Sequence, residues 1–445
     1  MTLSDTALTY TARAMAMTAS VPDVIRRLGG GGPRRIADNA GLVITHGEGA
    51  HLVDTEGRRY LDFATAMGVA AIGHGHPRWA AAIAEQAARL AACVLHTPEH
   101  ARYLEALAGV LPPGLERTAL YSGGTEAVEV AVRLAQSVTG RRHLVSFTTG
   151  FHGKSAGVRF TGRRHADERS WLGLDWVHDV RYPVCAGHDA VSYPACAGDG
   201  AAALRELDGY AARLDGGVAG VIVEPVLGTA GNLPPEQRFL HELRTLCSRR
   251  GWLLILDESI TGFGRLGRVF AADWYGVVPD ILILGKAIGG GYPMSGVAAG
   301  DGLWDHSLFA EPSATSSSYG ANPVACAAGL AVLDILAEDG FLENVREVGR
   351  RLATGLRRIE AESPYVAATR GVGMMLGFDL VDPDTGELAG PQLSQRLFHA
   401  CLDEGLLVAQ VPRVRLNPPL TLRPAEADAA LEALAAALAP GRARR

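Results

Sequence analysis

The chain has 445 residues, too many for one simple core, so two or more packed units are expected. It is 48% hydrophobic and 20% charged, and its formal net charge of −6 forces no basic face for nucleic acid. The six cysteines (Cys93, Cys185, Cys196, Cys247, Cys326 and Cys401) are scattered without a Cys-x-x-Cys pair, which points away from a zinc site or a disulfide framework, and no metal is expected.

The opening stretch MTLSDTALTYTARAMAM lacks a basic start and an unbroken apolar core, so it does not read as a secretory signal. No apolar run approaches the length that spans a bilayer, and a cytoplasmic protein is the default. GGGGPRR at 29–35 reads as a joint after an N-terminal arm. GLVITHGEGAHLVDTEGRRYLDF (41–63) alternates apolar and polar residues around Glu48-Gly49 and Glu56-Gly57, which predicts a small antiparallel meander. After GHGHP (73–77) the pattern turns helical. Short apolar runs then alternate with helical stretches: TALY (118–121), HLVSF (143–147), VAGVIVE (218–224), LLILD (253–257), ILILG (281–285) and SGVAA (295–299). Runs of this kind read as buried parallel strands, and the alternation predicts an α/β sheet. From about 322 helices dominate, and a second α+β unit follows with GFDLV and the closing helix AEADAALEALAAALA. We expect an arm and part of a small domain over 1–70, a large domain over 71–330 and the rest of the small domain over 331–445.

Chemistry gathers at the strand ends, where open α/β sheets bind ligands. TALY runs into Ser122-Gly123-Gly124-Thr125 and then a helix, so free backbone N–H groups and the helix dipole predict an anion site. Glu224-Pro225 follows VIV, Asp257-Glu258 closes LLIL, and Lys286 follows ILILG. Only Lys154 and Lys286 are lysine among the 42 basic residues. An amine that must lose its proton and attack a carbonyl has to be lysine, because a guanidinium stays charged. Lys154 lies in GFHGKS, which resembles the end of a nucleotide P-loop, but that motif needs glycine where Thr148 stands. Lys154 therefore reads as an exposed loop residue. A phosphate cradle, a buried acid and a lysine together suggest pyridoxal phosphate, with Lys286 as its Schiff-base partner, the acid holding a proton on the pyridine nitrogen, and Phe151 stacked on the ring.

The motifs SGGTEAVE, FHG, VIVEPV, LLILDESITGFGRLG, PDILILGKAIGGG, SYGANP, RGVGMMLG and RLNPPL occur in one order over about 41–435. In this the chain resembles the class III (ornithine/GABA-type) aminotransferases of fold type I. The resemblance implies a large domain with a mostly parallel seven-stranded sheet, a small α+β domain built from both termini, and a homodimer with shared active sites. By position it makes Lys286 the Schiff-base lysine and Asp257 the partner of the pyridine nitrogen. Gly124 and Thr125 match the phosphate-binding turn and Phe151 the stacking aromatic. Ser318 stands where the family usually has the threonine that binds the neighbouring subunit's phosphate. Arg415 matches the arginine that receives a substrate carboxylate, and Glu224 the glutamate that pairs with it when no carboxylate is there.

Two residues depart from that pattern. Ser259 stands where most members have a valine packed on the cofactor ring, and it could admit a water or hydrogen-bond near the cofactor's 3-hydroxyl. Leu227 stands where many have glutamine. These departures bear on reaction specificity more than on cofactor binding. The first reading is an aminotransferase moving an amino group between an amine or amino acid and a carbonyl compound. The second is an epimerase, aminomutase or dehydratase of an amino sugar or amino acid on the same scaffold, and the third a non-catalytic cofactor-binding homologue. Residues near Met67 and in the 160–200 insertion are expected to shape specificity. The Ala- and Arg-rich composition is compatible with a role in secondary metabolism.

Overall fold

The computed structural model describes residues 20–29, 40–155, 175–184, 200–214, 217–305, 308–409 and 411–441. The arm's first residues, most of the 29–35 joint and most of the 160–200 insertion lie outside them.

Seven strands form the central sheet: β4 (Arg117–Tyr121), β5 (His143–Phe147), β6 (Val177–Val180), β7 (Val218–Val223), β8 (Leu253–Asp257), β9 (Ile281–Leu284) and β10 (Ser295–Ala299), in the order β4-β10-β9-β8-β7-β5-β6. Every predicted run is a strand within a residue of its expected limits. β6 was not anticipated; its VHDV has two polar residues between its valines and lies within the 160–200 insertion, so no apolar run marks it. β10 also differs from expectation, because it pairs antiparallel with both β4 and β9. Two reversals bring β4 back into the direction of β9, so its carboxyl end shares an edge with those of β5, β7, β8 and β9.

The sheet is buried on both faces, and the two-residue period divides its side chains. Ile255, Ile281, Ile283 and Val297 pack under the helix Gly124–Thr139, against Ala127, Val128, Ala131 and Leu134. Leu254, Leu256, Leu282 and Leu284 face the other way, into the main core with Phe239, Leu240 and Leu243 of the helix Phe239–Arg250. Each such side chain, fully buried, contributes ~1.5–3 kcal/mol. This double coverage holds the strand ends still enough to align side chains across four strands.

The meander is present as β1 (Ile44–Glu48), β2 (His51–Asp54) and β3 (Arg59–Asp62), antiparallel in sequence. A late strand, β13 (Leu406–Leu407), joins its edge in parallel with β3 and ties the two chain ends together. The other late strands, β11 (Val366–Val372), β12 (Met375–Leu380) and β14 (Arg413–Leu416), form a separate antiparallel sheet. The helices Phe341–Glu362 and Pro424–Ala437 share the main core with that sheet.

Candidate active site

A cavity of about 220 Å³ opens at the shared edge, lined among others by Gly124, Thr125, Phe151, Glu224, Asp257, Ser259 and Lys286. Seven residues singled out in the sequence thus meet in one place. Arg415 approaches from the small sheet and lies close enough to affect the Lys286 amine. Ser318 is exposed, ahead of Tyr319, and Lys154 is exposed as expected. Among the described residues no cluster of His, Cys, Asp or Glu suits a metal ion.

Asp257 ends β8, is 4% exposed, and already has three hydrogen-bond partners on its carboxylate. Oδ2 meets His152 Nδ1 at 2.8 Å, while Oδ1 accepts from the Ser259 hydroxyl at 2.6 Å and the Ser259 amide at 3.1 Å. Burial pushes this carboxyl up, but His152, Lys286 and Ser259 outweigh it and hold the group below its ordinary value. A persistent anion therefore sits at the base of the cavity. The Ser259 hydroxyl is committed to Asp257, not to the cofactor's 3-hydroxyl side. Glu258, the next residue, points away: it accepts from the Ala271 and Ala272 amides at 2.6 and 2.7 Å and caps a short helix. It is structural, as the alternation of a strand end requires.

Lys286 follows β9 and lines the cavity. Its φ of +47° lies in the left-handed region, an uncommon conformation for a side chain with a Cβ, and strain of that kind collects at functional sites. Gly285 leaves room for Ser259, since a Cβ there would lie 3.0 Å from Ser259 Oγ. Burial lowers the Lys286 amine below its ordinary pKa, Asp257 and Glu224 pull it back up, and Arg415 adds to the lowering. The anion end belongs to the helix Gly124–Thr139, which begins without a side-chain cap, so its first amides are free for a ligand.

The expected pairing of Glu224 with Arg415 is not made. Glu224 Oε1 accepts from the Phe151 amide at 2.8 Å and Oε2 from the Gly228 amide at 3.0 Å, so both oxygens are engaged by backbone. Burial pushes its carboxyl up. Arg415 Nη2 instead donates to Met67 Sδ at 2.9 Å, and its buried Nε has no acceptor. Burial lowers the Arg415 guanidinium to about 10, against the attraction of Glu224. Leu227, the other departure, is fully buried and bridges Leu233 through two backbone hydrogen bonds of 2.9 Å.

One further residue, His152, escaped sequence reasoning, and Met67 was singled out only as a neighbourhood that shapes specificity. His152 stands beside Phe151 in the FHG motif, and that adjacency was the available signal for it. Met67 belongs to a turn in which Thr65, Ala66 and Met67 have φ of 41°, 50° and 67°. Each left-handed residue with a side chain costs ~1–2 kcal/mol, and no sequence pattern announces such a turn.

Residues 34–438 match the aminotransferase class-III family. The chain belongs to the class III aminotransferases. It is 35% identical over 391 residues to the [LysW]-aminoadipate semialdehyde transaminase of Deinococcus radiodurans, covering 87% of this chain and 83% of that one. It is 30% identical to the 5-aminovalerate aminotransferase of Pseudomonas aeruginosa, over 94% and 98% of the two chains. An amine transaminase from an uncultivated Pseudomonas species, solved with pyridoxal phosphate bound, superposes with a TM-score of 0.83 at 30% identity, over 92% and 97% of the two chains.

The class III enzyme is accordingly a pyridoxal phosphate-dependent aminotransferase of fold type I, acting on small amines and oxo acids. The other reactions open to the scaffold are not favoured. The cavity fits the cofactor on its own chemistry, with uncapped helix amides toward an anion, a buried carboxylate for a cationic ring nitrogen, and the Lys286 amine in the same lining. Among the described residues no helix is long and apolar enough to cross a membrane.

Proposed function

We propose that this aminotransferase exchanges an amino group between an amine and a 2-oxo acid, with Arg415 as the receptor of the substrate carboxylate in at least one half reaction. The observation that carries the proposal is the buried Arg415 guanidinium with an unsatisfied Nε and no carboxylate partner. A guanidinium recognises a carboxylate through two parallel hydrogen bonds. The names of both relatives point the same way, since aminoadipate semialdehyde and 5-aminovalerate each carry a carboxylate.

In this reading Lys286 holds the cofactor and Asp257 keeps the proton on its ring nitrogen. His152 and Ser259 keep Asp257 ionised and aimed. Gly124 and Thr125 hold the phosphate, and Phe151 covers one ring face. When bound, pyridoxal phosphate supplies a carbonyl for the substrate amine and an electron sink for the carbon that loses a proton. Lys286 moves that proton as general base, a role helped by the lowered affinity of its buried amine for protons.

We further propose a two-fold homodimer in which Ser318 reaches the partner's phosphate, within the arm-and-two-domain division set out above. The exposed Val94, Leu95 and Tyr319, at 93%, 75% and 70%, support a covered surface. A cytoplasmic setting and a place in secondary metabolism are part of the same reading. An active monomer in light scattering under assay conditions would contradict the dimer.

Borohydride reduction followed by peptide mapping tests the core of the proposal. The cofactor label is expected on Lys286; a label on Lys154 alone, or on neither, overturns it. A screen of amine donors with and without a carboxylate, against pyruvate and 2-oxoglutarate, tests the substrate class.

A further inference from the structure

We propose that Met67 is a displaceable thioether cap on Arg415, competing with the substrate carboxylate for one edge of the guanidinium. The inference rests on the reading of Arg415 as the carboxylate receptor, and deepens it by naming what holds that receptor between substrates.

Nε and Nη2 form the edge across which a carboxylate bridges. In this structure Nη2 donates to Met67 Sδ at 2.9 Å and the buried Nε has no acceptor. The edge is thus held by one of the weakest acceptors among side chains. Glu224 is not available for the task, because the Phe151 and Gly228 amides engage both its oxygens.

The placement of Met67 is built into the backbone. Asp62 Oδ1 accepts from the Ala64 and Thr65 amides at 2.9 and 2.8 Å, and Oδ2 meets His74 Nε2 at 2.9 Å. Thr65 Oγ1 donates to the Asn417 carbonyl at 2.6 Å, and the Asn417 amide donates to the Phe63 carbonyl at 2.9 Å. Asn417 lies two residues beyond Arg415, so the turn carrying Met67 is stapled to the segment carrying Arg415. The next residue, Gly68, reaches toward the catalytic lysine: a Cβ there would lie 3.9 Å from Lys286 Cδ.

Fixed backbone and flexible side chain have separate parts. The left-handed turn sets where the thioether starts, and the unbranched side chain can leave by bond rotation alone. A carboxylate displaces it because two charge-assisted hydrogen bonds replace one weak contact and an orphaned donor. A substrate without a carboxylate leaves the cap in place and meets an apolar wall. Alternation between the two kinds of substrate is then the work of Met67, with Glu224 fixed.

The test is a series graded by acceptor strength. Met67→Leu removes the acceptor at similar size, and Met67→Gln offers a stronger one. Dissociation constants for acetate, butyrate and hexanoate, and for their neutral primary amides, are measured by calorimetry on the holoenzyme. Carboxylates are expected to bind about five- to tenfold tighter to Met67→Leu and weaker to Met67→Gln by a similar factor, the size of one net hydrogen bond. The amides are expected to show no such order. Carboxylate affinities that are flat across the series, or that move together with the amides, overturn the cap. Arg415→Ala separates the two ideas. If it leaves carboxylate affinity unchanged, the receptor reading falls and the cap with it; if it abolishes the preference for carboxylates while the Met67 series is flat, the cap alone falls. Wild-type holoenzyme labelled with [methyl-13C]methionine gives a second readout that needs no folded variant for its outcome. A methionine methyl signal that moves with butyrate and not with butyramide is expected; spectra identical for the two probes overturn the proposal.

Discussion

Two basic side chains serve one site in this enzyme, and they are treated differently. Lys286 stands on the large sheet among groups whose partners are settled. Asp257 is held by His152 and Ser259, and Glu224 by two backbone amides. Arg415 stands on the small sheet with a thioether on one donor and nothing on another. The contrast fits the division of labour in transamination. The chemistry at the cofactor is the same in both half reactions, so its charges are fixed in advance. The substrates differ between half reactions, so the group that recognises them is kept weakly partnered and open to exchange.

The comparison is broken most severely at its fixed end. Lys286→Ala removes the proton carrier, and single-turnover rates of the amine half reaction are expected to fall by at least ~10²–10⁴-fold. Asp257→Asn keeps the shape and removes the charge; cofactor is expected to remain bound by absorbance while turnover falls by orders of magnitude. Near-normal turnover of that variant removes Asp257 from its role.

At the open end, Arg415→Ala is expected to weaken the half reaction of a carboxylate substrate by ~2–5 kcal/mol, the usual loss when one partner of a buried charge pair is truncated. The half reaction of a substrate without a carboxylate suffers much less. Equal losses in both would make Arg415 structural and erase the contrast.

Ser259→Ala sharpens it. A hydrogen bond to a charged group contributes ~1.5–3 kcal/mol, and Asp257 keeps His152 and one amide donor. Turnover should fall, but far less than in Asp257→Asn. In the cofactor-free enzyme the Asp257 carboxyl, followed by infrared difference spectroscopy, should titrate at higher pH than in the wild type, because Ser259 helps to hold it down. An unmoved titration means that the hydroxyl contributes nothing to the charge.

The smallest effect is read on Lys286 itself. With only two lysines, [ε-13C]lysine gives two resonances to follow in the cofactor-free enzyme. Lys286 should titrate below its ordinary value of 10.5, since burial disfavours the ammonium form. Asp257→Asn should lower it further, because Asp257 pulls the amine upward. A rise in that variant would show that the two groups do not interact.

Much of the fixed end was legible in the sequence. Buried strands of a parallel sheet are continuous apolar runs, and such runs stop where the chain leaves the sheet, so the polar residue at each stop is visible one after another: Glu224, Asp257, Lys286. Glycines before a helix mark an anion site for an equally local reason, the free amides of its first turn. What each group touches was not legible. Ser259 lies beside Asp257 in sequence, yet only the turn after β8 aims its hydroxyl back at the carboxylate. The family resemblance implied that Glu224 pairs with Arg415 when no carboxylate is there, and the amides of Phe151 and Gly228 decided otherwise. The contact of Arg415 with Met67 joins residues 348 positions apart through a left-handed turn fixed by Asp62, His74 and Asn417. Local pattern determined the elements and the chemical groups at their ends, because both follow from neighbours along the chain. Tertiary structure decided the pairings, because a buried charge takes whichever donors or acceptors packing places within reach.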